Sequence, residues 1–355
     1  MAGEQWTEDE KQACLTLEFD DFHDLYPDRN WNAYRFKRKR LVEKGYTAPS
    51  EETHLSSPKP EPREEDWEEL FSALESAEAT RRRLSPTDEH IRIDGGGEPF
   101  ALAFMSDIHA GGGGVDYVRF RADLDALRQA DGVGVIINGD LFENAKHMMK
   151  SGEALYHGAF NSPREQYYYI KSRLSTIRDK IAVISAGNHD TRDGIGGLDR
   201  LPDLCRDLGT AYFSEKGGTV YLTVGSQEYV IAVKHEWAGN SQLNKSNRTR
   251  RMWTEWTGAW ENADVVTVGH LHQPDLHTST QKGRDVHYVQ SGTYKYIHDG
   301  YSESKGYRPS YGVPILVFYP DTRRIIPFSD FHAGLTYLRI ARANHRGQAE
   351  YGIAS

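Results

Sequence analysis

From about residue 94 the chain carries short apolar runs rich in β-branched residues: 100–105 (FALAFM), 133–138 (VGVIIN), 181–186 (IAVISA), 229–234 (YVIAVK), 264–268 (DVVTV) and 314–319 (PILVFY). Helix-like segments separate them, so the pattern predicts buried strands alternating with helices, the signature of an α/β sheet domain. Upstream the period changes. Trp6, Leu15, Leu17, Phe19, Phe22, Leu25, Tyr26, Trp31, Tyr34 and Leu41 recur at mostly helical spacing, interrupted at Pro27–Asn30. Asn30 is placed to cap a last helix carrying Arg35, Lys37, Arg38, Lys39 and Arg40. Further on, Trp67, Leu70, Phe71 and Leu74 follow i, i+3, i+4, i+7 spacing and predict an amphipathic helix over about 65–83. The resulting division is a small all-α module at 1–46, a linker with one amphipathic helix at 47–93, the sheet domain at 94–335 and a tail at 336–355. Around the start of that tail, Leu335, Tyr337 and Ile340 are spaced for a final helix or a partner contact.

A length of 355 residues accommodates these two domains, and no apolar run approaches the roughly 18 residues of a membrane span. Residues 1–10 show no basic start followed by an apolar stretch, which gives a cytoplasmic expectation. The two cysteines, Cys14 and Cys205, lie far apart and form no CxxC, excluding a disulfide framework and a thiolate metal cage. Any metal therefore falls to His, Asp and Asn. Residues 1–93 hold 14 Lys and Arg against 22 Asp and Glu, a net of −8 out of −9 for the whole chain, leaving −1 for the rest. An acidic chain gives no global argument for nucleic-acid binding, so any such role rests on local basic patches. These are Arg35 with Lys37–Arg40, Arg81–Arg83, and Lys245 with Arg248, Arg250 and Arg251.

Each of the first five apolar runs ends where candidate ligands begin: Asp107-Ile-His109, Gly139-Asp140, Gly187-Asn-His-Asp190, His235, and Gly269-His-Leu-His272. In α/β sheets, ligands bind in the loops that follow strand C-termini. A single DxH or GD pair is weak; five placements in order point to one site across a sheet edge. Tyr167–Tyr169 are spaced as core residues rather than as a base-stacking surface.

The ordered set D-x-H, G-D, G-N-H-D, H, G-H-x-H resembles the calcineurin-like metallophosphoesterases over about residues 98–330. The resemblance implies a four-layer fold, a two-sheet β-sandwich flanked by helices, with two metals at the strand ends. It assigns Asp107, His109 and His272 to one metal, Asn188, His235 and His270 to the other, and Asp140 to a bridge. Carboxylate, amide and imidazole donors suit Mn²⁺, with Fe or Zn²⁺ as alternatives, better than Ca²⁺. Two such cations about 3.5–4 Å apart activate a bridging water as hydroxide and clamp an in-line displacement at phosphorus. The resemblance makes His189 the residue that assists the leaving oxygen, and Glu143 the residue that orients His189. Asp190 supports the loop or a ligand imidazole. The chain lacks the arginine of the GDxxDRG pattern carried by Ser/Thr protein phosphatases, which disfavours that activity. Arg192, Lys245, Arg250 and Arg251 are candidate substrate contacts.

Residues 6–46, with Trp6-Thr-Glu-Asp-Glu10, Tyr26-Pro-x-Arg29 and Ala33…Lys37-x-x-Arg40-Leu41, resemble a short Myb/SANT-type helix-turn-helix. That resemblance implies DNA contacts from Arg35, Arg38 and Lys39. Together the two parts describe a metal-dependent phosphodiesterase or nuclease that acts on DNA. The alternatives are a small-molecule phosphomonoesterase or cyclic-nucleotide phosphodiesterase, and a noncatalytic interaction scaffold.

Overall fold

Residues 6–46, 64–84, 90–144, 162–191, 200–239, 244–255, 262–295 and 309–350 are described in the structure, a computed structural model. The chain divides into two compact units, Met1–Thr80 and Arg81–Ser355. In the first, α1 (Glu8–Thr16), α2 (Phe19–Leu25) and α3 (Trp31–Glu43) enclose Cys14, Leu15, Phe22, Tyr34 and Leu41. Thr7 and Glu10 form a reciprocal box at the start of α1. The Asn30 side chain caps α3 as its sequence position predicts, accepting from Ala33 N at 3.0 Å. Phe22 packs its ring against Trp6, Tyr26 and Tyr34, so the small core rests on aromatic area. Arg29 pairs with Glu10 at 2.9 Å and lies over the Trp6 ring. Helix α4 (Glu64–Leu84) covers the expected amphipathic segment, and Trp67, Leu70, Phe71 and Leu74 on it are exposed.

In the second unit all six apolar runs become strands. They are β2 (Phe100–Met105), β3 (Val133–Asn138), β4 (Ile181–Ser185), β7 (Gln227–Val233), β8 (Val265–Val268) and β11 (Ile315–Phe318). Strands with weaker apolar patterns complete the sheets: β1 (His90–Asp94), β5 (Ala211–Phe213), β6 (Gly218–Val224), β9 (Asp275–Gln281), β10 (Arg284–Gln290) and β12 (Ile325–Phe328). One sheet has the order β1-β6-β7-β8-β10-β9, the other β12-β11-β2-β3-β4-β5.

Alternation along the strands builds the layers. Leu102, Phe104, Ile136, Val183, Leu316 and Phe318 face inward to meet Val220, Leu222, Ile231, Val233 and Val265 of the opposite sheet. Ala101, Ala103, Met105, Val135 and Ile137 face the other way. They pack on α5 (Tyr117–Gln129), α6 (Pro163–Leu174) and α7 (Arg200–Leu208) through Phe120, Leu124, Ile170 and Leu204. The outer face of the first sheet packs Val266, Val268 and Tyr288 on Met252 and Trp253 of α8 (Asn247–Glu255). The order is therefore helix, sheet, sheet, helix, the four layers the sequence led us to expect. Tyr167 and Tyr169 pack against the core while Tyr168 is exposed.

Both expected boundaries of the sheet domain shift. β1 precedes residue 94 and pairs in parallel with β6 along its whole length, His90 against Thr219 to Asp94 against Thr223. The expected tail begins inside α9 (Phe331–Glu350), which buries Phe331 and Leu338 against the sheet bearing β11. The five residues of the edge strand are too short a pattern to be read locally, and the final helix for which Leu335, Tyr337 and Ile340 are spaced starts earlier, at Phe331. Each gains its apolar environment from the sheet it joins.

Topology positions the site. β2, β3 and β4 are parallel neighbours, as are β7 and β8, so their C-terminal ends open on one side of each sheet. The loops bearing Asp107, Asp140, Asn188, His235 and His270 leave from those five ends.

Candidate metal centre

The strand-end loops bend sharply. Asp107, His109, Asp140, His270 and His272 all adopt left-handed backbone with φ between 52° and 71°. For non-glycine residues this costs about 1–2 kcal/mol each, and it is maintained where surrounding bonds over-determine the loop. Asp190 supplies such bonds. Its Oδ2 accepts from Asp140 N at 2.8 Å and Gly187 N at 2.9 Å, and its Oδ1 accepts from Leu141 N at 2.9 Å and Phe142 N at 3.2 Å. Thr293 Oγ1 donates to Asp107 O at 2.7 Å, fixing the first loop from the turn after β10. Gly187 leaves room where any Cβ would meet Asp140 Oδ1.

Three groups of donors gather at this edge among the described residues: Asp107, His109 and His272 in one, Asp140, His235 and His270 in a second, and His109 with Glu143 and His189 in a third that shares its imidazole with the first. His109 Nε2 lies 2.9 Å from His272 Nε2, and His272 Nε2 lies 3.2 Å from Asp107 Oδ1. Asp140 Oδ2 lies 3.2 Å from His235 Nε2 and 3.8 Å from His109 Nε2, between the first two groups. Asn188 Oδ1 joins the second group, 2.9 Å from His270 Nδ1.

Ring nitrogens on the far sides face oxygen atoms, the arrangement that orients imidazole ligands. His235 Nδ1 is 2.6 Å from the Asn138 carbonyl, His270 Nε2 is 3.3 Å from Glu236 Oε1, and His109 Nδ1 is 3.1 Å from Glu143 Oε2. The buried His235 Nε2 makes no hydrogen bond, though it faces Asp140. An orphaned imidazole nitrogen beside a buried carboxylate, two imidazole nitrogens turned on one another and an amide oxygen alongside fit a pair of divalent cations.

The electrostatics agree. Burial works against charge on Asp107, but His109, His272 and His235 hold its carboxyl well below the usual range. Asp140 is held low in the same way, against burial, chiefly by His235. Against its own burial His235 is pushed up to about 10 by Asp140, and His109 to about 9 by Glu143 and Asp107. Burial and the nearby Asp140 charge push Asp190 up to about 7.

His189 sits beside the pair. Its backbone N donates to Asp140 Oδ1 at 2.8 Å, and its Nδ1 lies 2.6 Å from the Glu143 carbonyl oxygen. That contact places the ring proton on Nδ1 and makes Nε2 the basic nitrogen. Glu143 thus contacts His189 through its main chain. Its carboxylate lies against His109 and Lys295, which correct the expectation that this side chain orients His189. The physical reason is charge: against its burial, the Glu143 carboxylate is drawn by His109 and Lys295 more strongly than by His189.

The remaining candidates scatter. Arg38 bonds the Tyr34 hydroxyl, lies over its ring and sits 3.8 Å from Glu18, so the expected DNA contact is drawn back onto its own unit. Arg35 is exposed, and Lys39 is exposed with Glu43 3.8 Å away. Arg251 pairs with Glu255 at 2.7 Å, Arg250 is exposed and Lys245 is half-buried. Arg248 is buried and bonds the Gly239 carbonyl. Arg192 lies outside the described residues. Sequence reading missed Lys295 and Glu236. Both follow strand ends, as the ligands do, yet a lone Lys or Glu carries no ligand spacing to mark it.

Two stacked mixed sheets flanked by helices, with these donors gathered at their strand ends in this order, match the resemblance element by element. The fold is a two-sheet α/β sandwich between helical layers, the architecture the resemblance implies. No protein-family model and no curated protein matches the sequence. Among solved structures, the chain is similar to the calcineurin-like phosphoesterase YfkN of Bacillus subtilis, at 12% identity and TM-score 0.37, over 72% of this chain and 98% of that one. It is similar to a single-mutant form of Vps29 from Entamoeba histolytica, at 13% identity and TM-score 0.37, over 64% and 99%. It is also similar to the NAD nucleotidase NadN of Haemophilus influenzae, at 11% identity and TM-score 0.35, over 65% of this chain and 50% of that one. Among the described residues no helix is long and apolar enough to cross a membrane.

Proposed function

We propose that the protein is a dinuclear metal-dependent phosphodiesterase that cleaves DNA. The observation that carries the reading is the pairing of two donor groups about Asp140 with His189 beside them. Asp107, His109 and His272 would hold one ion, and Asn188, His235 and His270 the other, with Asp140 between; Mn²⁺ is the proposed ion. Divalent cations, when bound, supply Lewis acidity at phosphorus and lower the pKa of water. Asp140 fixes the backbone of His189, and the Glu143 carbonyl fixes its tautomer, so that Nε2 exchanges a proton with the leaving oxygen. The choice of DNA as substrate is supported by the N-terminal helical unit, whose α3 carries Arg35 and Lys39 on its exposed side.

The test is hydrolysis of single- and double-stranded DNA, beside bis-p-nitrophenyl phosphate, with Mn²⁺. The proteins compared are wild type, His189→Ala, Arg35→Ala/Lys39→Ala and a chain starting at residue 85, which keeps β1. DNA cleavage that needs His189 and weakens when the first unit is removed supports the reading. Diester turnover with no DNA cleavage moves the substrate to small nucleotides, and no turnover at all returns the protein to the scaffold reading.

A further inference from the structure

Glu143 and Lys295 form an ion pair at 2.9 Å in which both side chains are almost wholly buried, 3% and 4% exposed. A buried ion pair is a poor way to stabilise a fold, because desolvating two charges cancels most of their attraction and apolar residues of similar volume do as well. This pair adjoins the metal centre: the same Glu143 oxygen that meets Lys295 Nζ lies 3.1 Å from His109 Nδ1. Backbone contacts hold Lys295 in place. It bridges Val115, and the preceding Tyr294 donates its N–H to Asp107 O at 3.2 Å and its hydroxyl to Asp123 at 2.8 Å. The glycine loop after His109 closes over the pair, and a Cβ at Gly112 would come within 2.7 Å of Glu143 Oε2 and 3.2 Å of Lys295 Cε.

We infer that Lys295 is a positioning residue for the metal centre, holding the Glu143 carboxylate as the outer partner of His109 and out of direct coordination. This rests on the reading of the two donor groups as a dinuclear site. A carboxylate facing Nδ1 at 3.1 Å favours the ring orientation that turns Nε2 toward Asp107 and His272 and strengthens it as a ligand. Without a cation beside it, Glu143 would add a third negative charge near Asp107 and Asp140 and would be drawn onto the metal itself. Lys295 supplies that cation from a backbone fixed by the same loop as Asp107.

The experiment measures metal binding by the full-length apo protein. Mn²⁺ stoichiometry and affinity are read by chelator competition, and the Co²⁺ d–d spectrum reports ligand geometry. Wild type, Lys295→Met, Lys295→Arg and His109→Ala are compared, with apo thermal unfolding as the fold control. The expected result is that Lys295→Met weakens one of the two ions by about 10- to 100-fold and alters the Co²⁺ spectrum. Lys295→Arg should restore most of the affinity, and His109→Ala should lose the same ion. If Lys295→Met does not fold, Glu143→Gln/Lys295→Gln leaves no unpaired buried charge and is expected to show the same selective loss. Two ions bound at wild-type affinity by a folded variant lacking the lysine charge overturn the inference while leaving the proposed function standing. Wild type that binds no metal overturns both.

Discussion

Asp190 offers the sharpest quantitative test, because one buried carboxylate accepts four backbone N–H groups from the two loops that carry Asp140 and Asn188. In Asp190→Asn one oxygen remains and an NH₂ replaces the other. Whichever way the amide turns, two of the four N–H groups then face a donor. Each stranded buried donor costs about 1–3 kcal/mol, so the substitution is expected to cost about 2–6 kcal/mol. Against a typical total of about 5–15 kcal/mol this is a large share. At about 2–4 °C per kcal/mol for a domain of this size it lowers Tm by about 4–24 °C. The assay is thermal unfolding of the metal-free chain followed by circular dichroism at pH 8, above the value near 7 to which the Asp190 carboxyl is pushed, so that the wild-type group is ionised. Asp203→Asn, which breaks only the exposed pair with Arg206, is the matched control and is expected to cost under about 1 kcal/mol. An Asp190→Asn transition within a degree of that control would refute the argument that this carboxylate holds the loops.

Other outcomes follow from the same geometry. Mn²⁺ at a hundred times its Kd should stabilise the second unit by about 2.7 kcal/mol for each site; a Tm unmoved between excess Mn²⁺ and EDTA would show that no ion binds the folded state. Replacement of His189 by Gln should lower kcat on a diester by about 10²- to 10⁴-fold with KM little changed, since its role is proton transfer; a loss confined to KM contradicts that role. Asp140→Asn should abolish metal-dependent hydrolysis and leave the far-UV spectrum intact, and activity retained in that variant would remove the bridging assignment. In the first unit the Arg29 hydrogen bond holds Glu10 below its ordinary 4.5. A depressed acid stabilises the fold above its unfolded value and loses that contribution as pH falls through the folded value. Amide protection across residues 8–43 of the full chain, measured relative to the intrinsic exchange rate at each pH, should therefore fall on acidification below about pH 4.5 in wild type, and Glu10→Gln should flatten that dependence; identical profiles would rule the pair out as the cause.

Elements whose chemistry is local could be read along the chain. Runs such as FALAFM and VGVIIN are apolar on both faces and had to be central strands, and Phe100–Met105 and Val133–Asn138 form as read. Asn30 set the start of α3 because its side chain satisfies an N–H three residues on. The five ligand segments were legible because each combines a strand end with a polar run, and they remain together because parallel neighbours point their C-terminal ends the same way. Other features depend on partners distant in the chain. The strand at His90–Asp94 exists because Gly218–Val224 offers it a ladder, and the alternation of Ile91 and Ile93 with polar neighbours is too short by itself to place it. The last helix begins at Phe331, whose burial against the sheet no local periodicity announces. Above all, the partner of Glu143 was decided in space: three residues after Asp140 it was positioned to serve His189, but folding brings Lys295, 152 positions away, to within 2.9 Å of its carboxylate. A buried charge goes to the strongest opposite charge the fold presents, and sequence spacing does not encode which one that is.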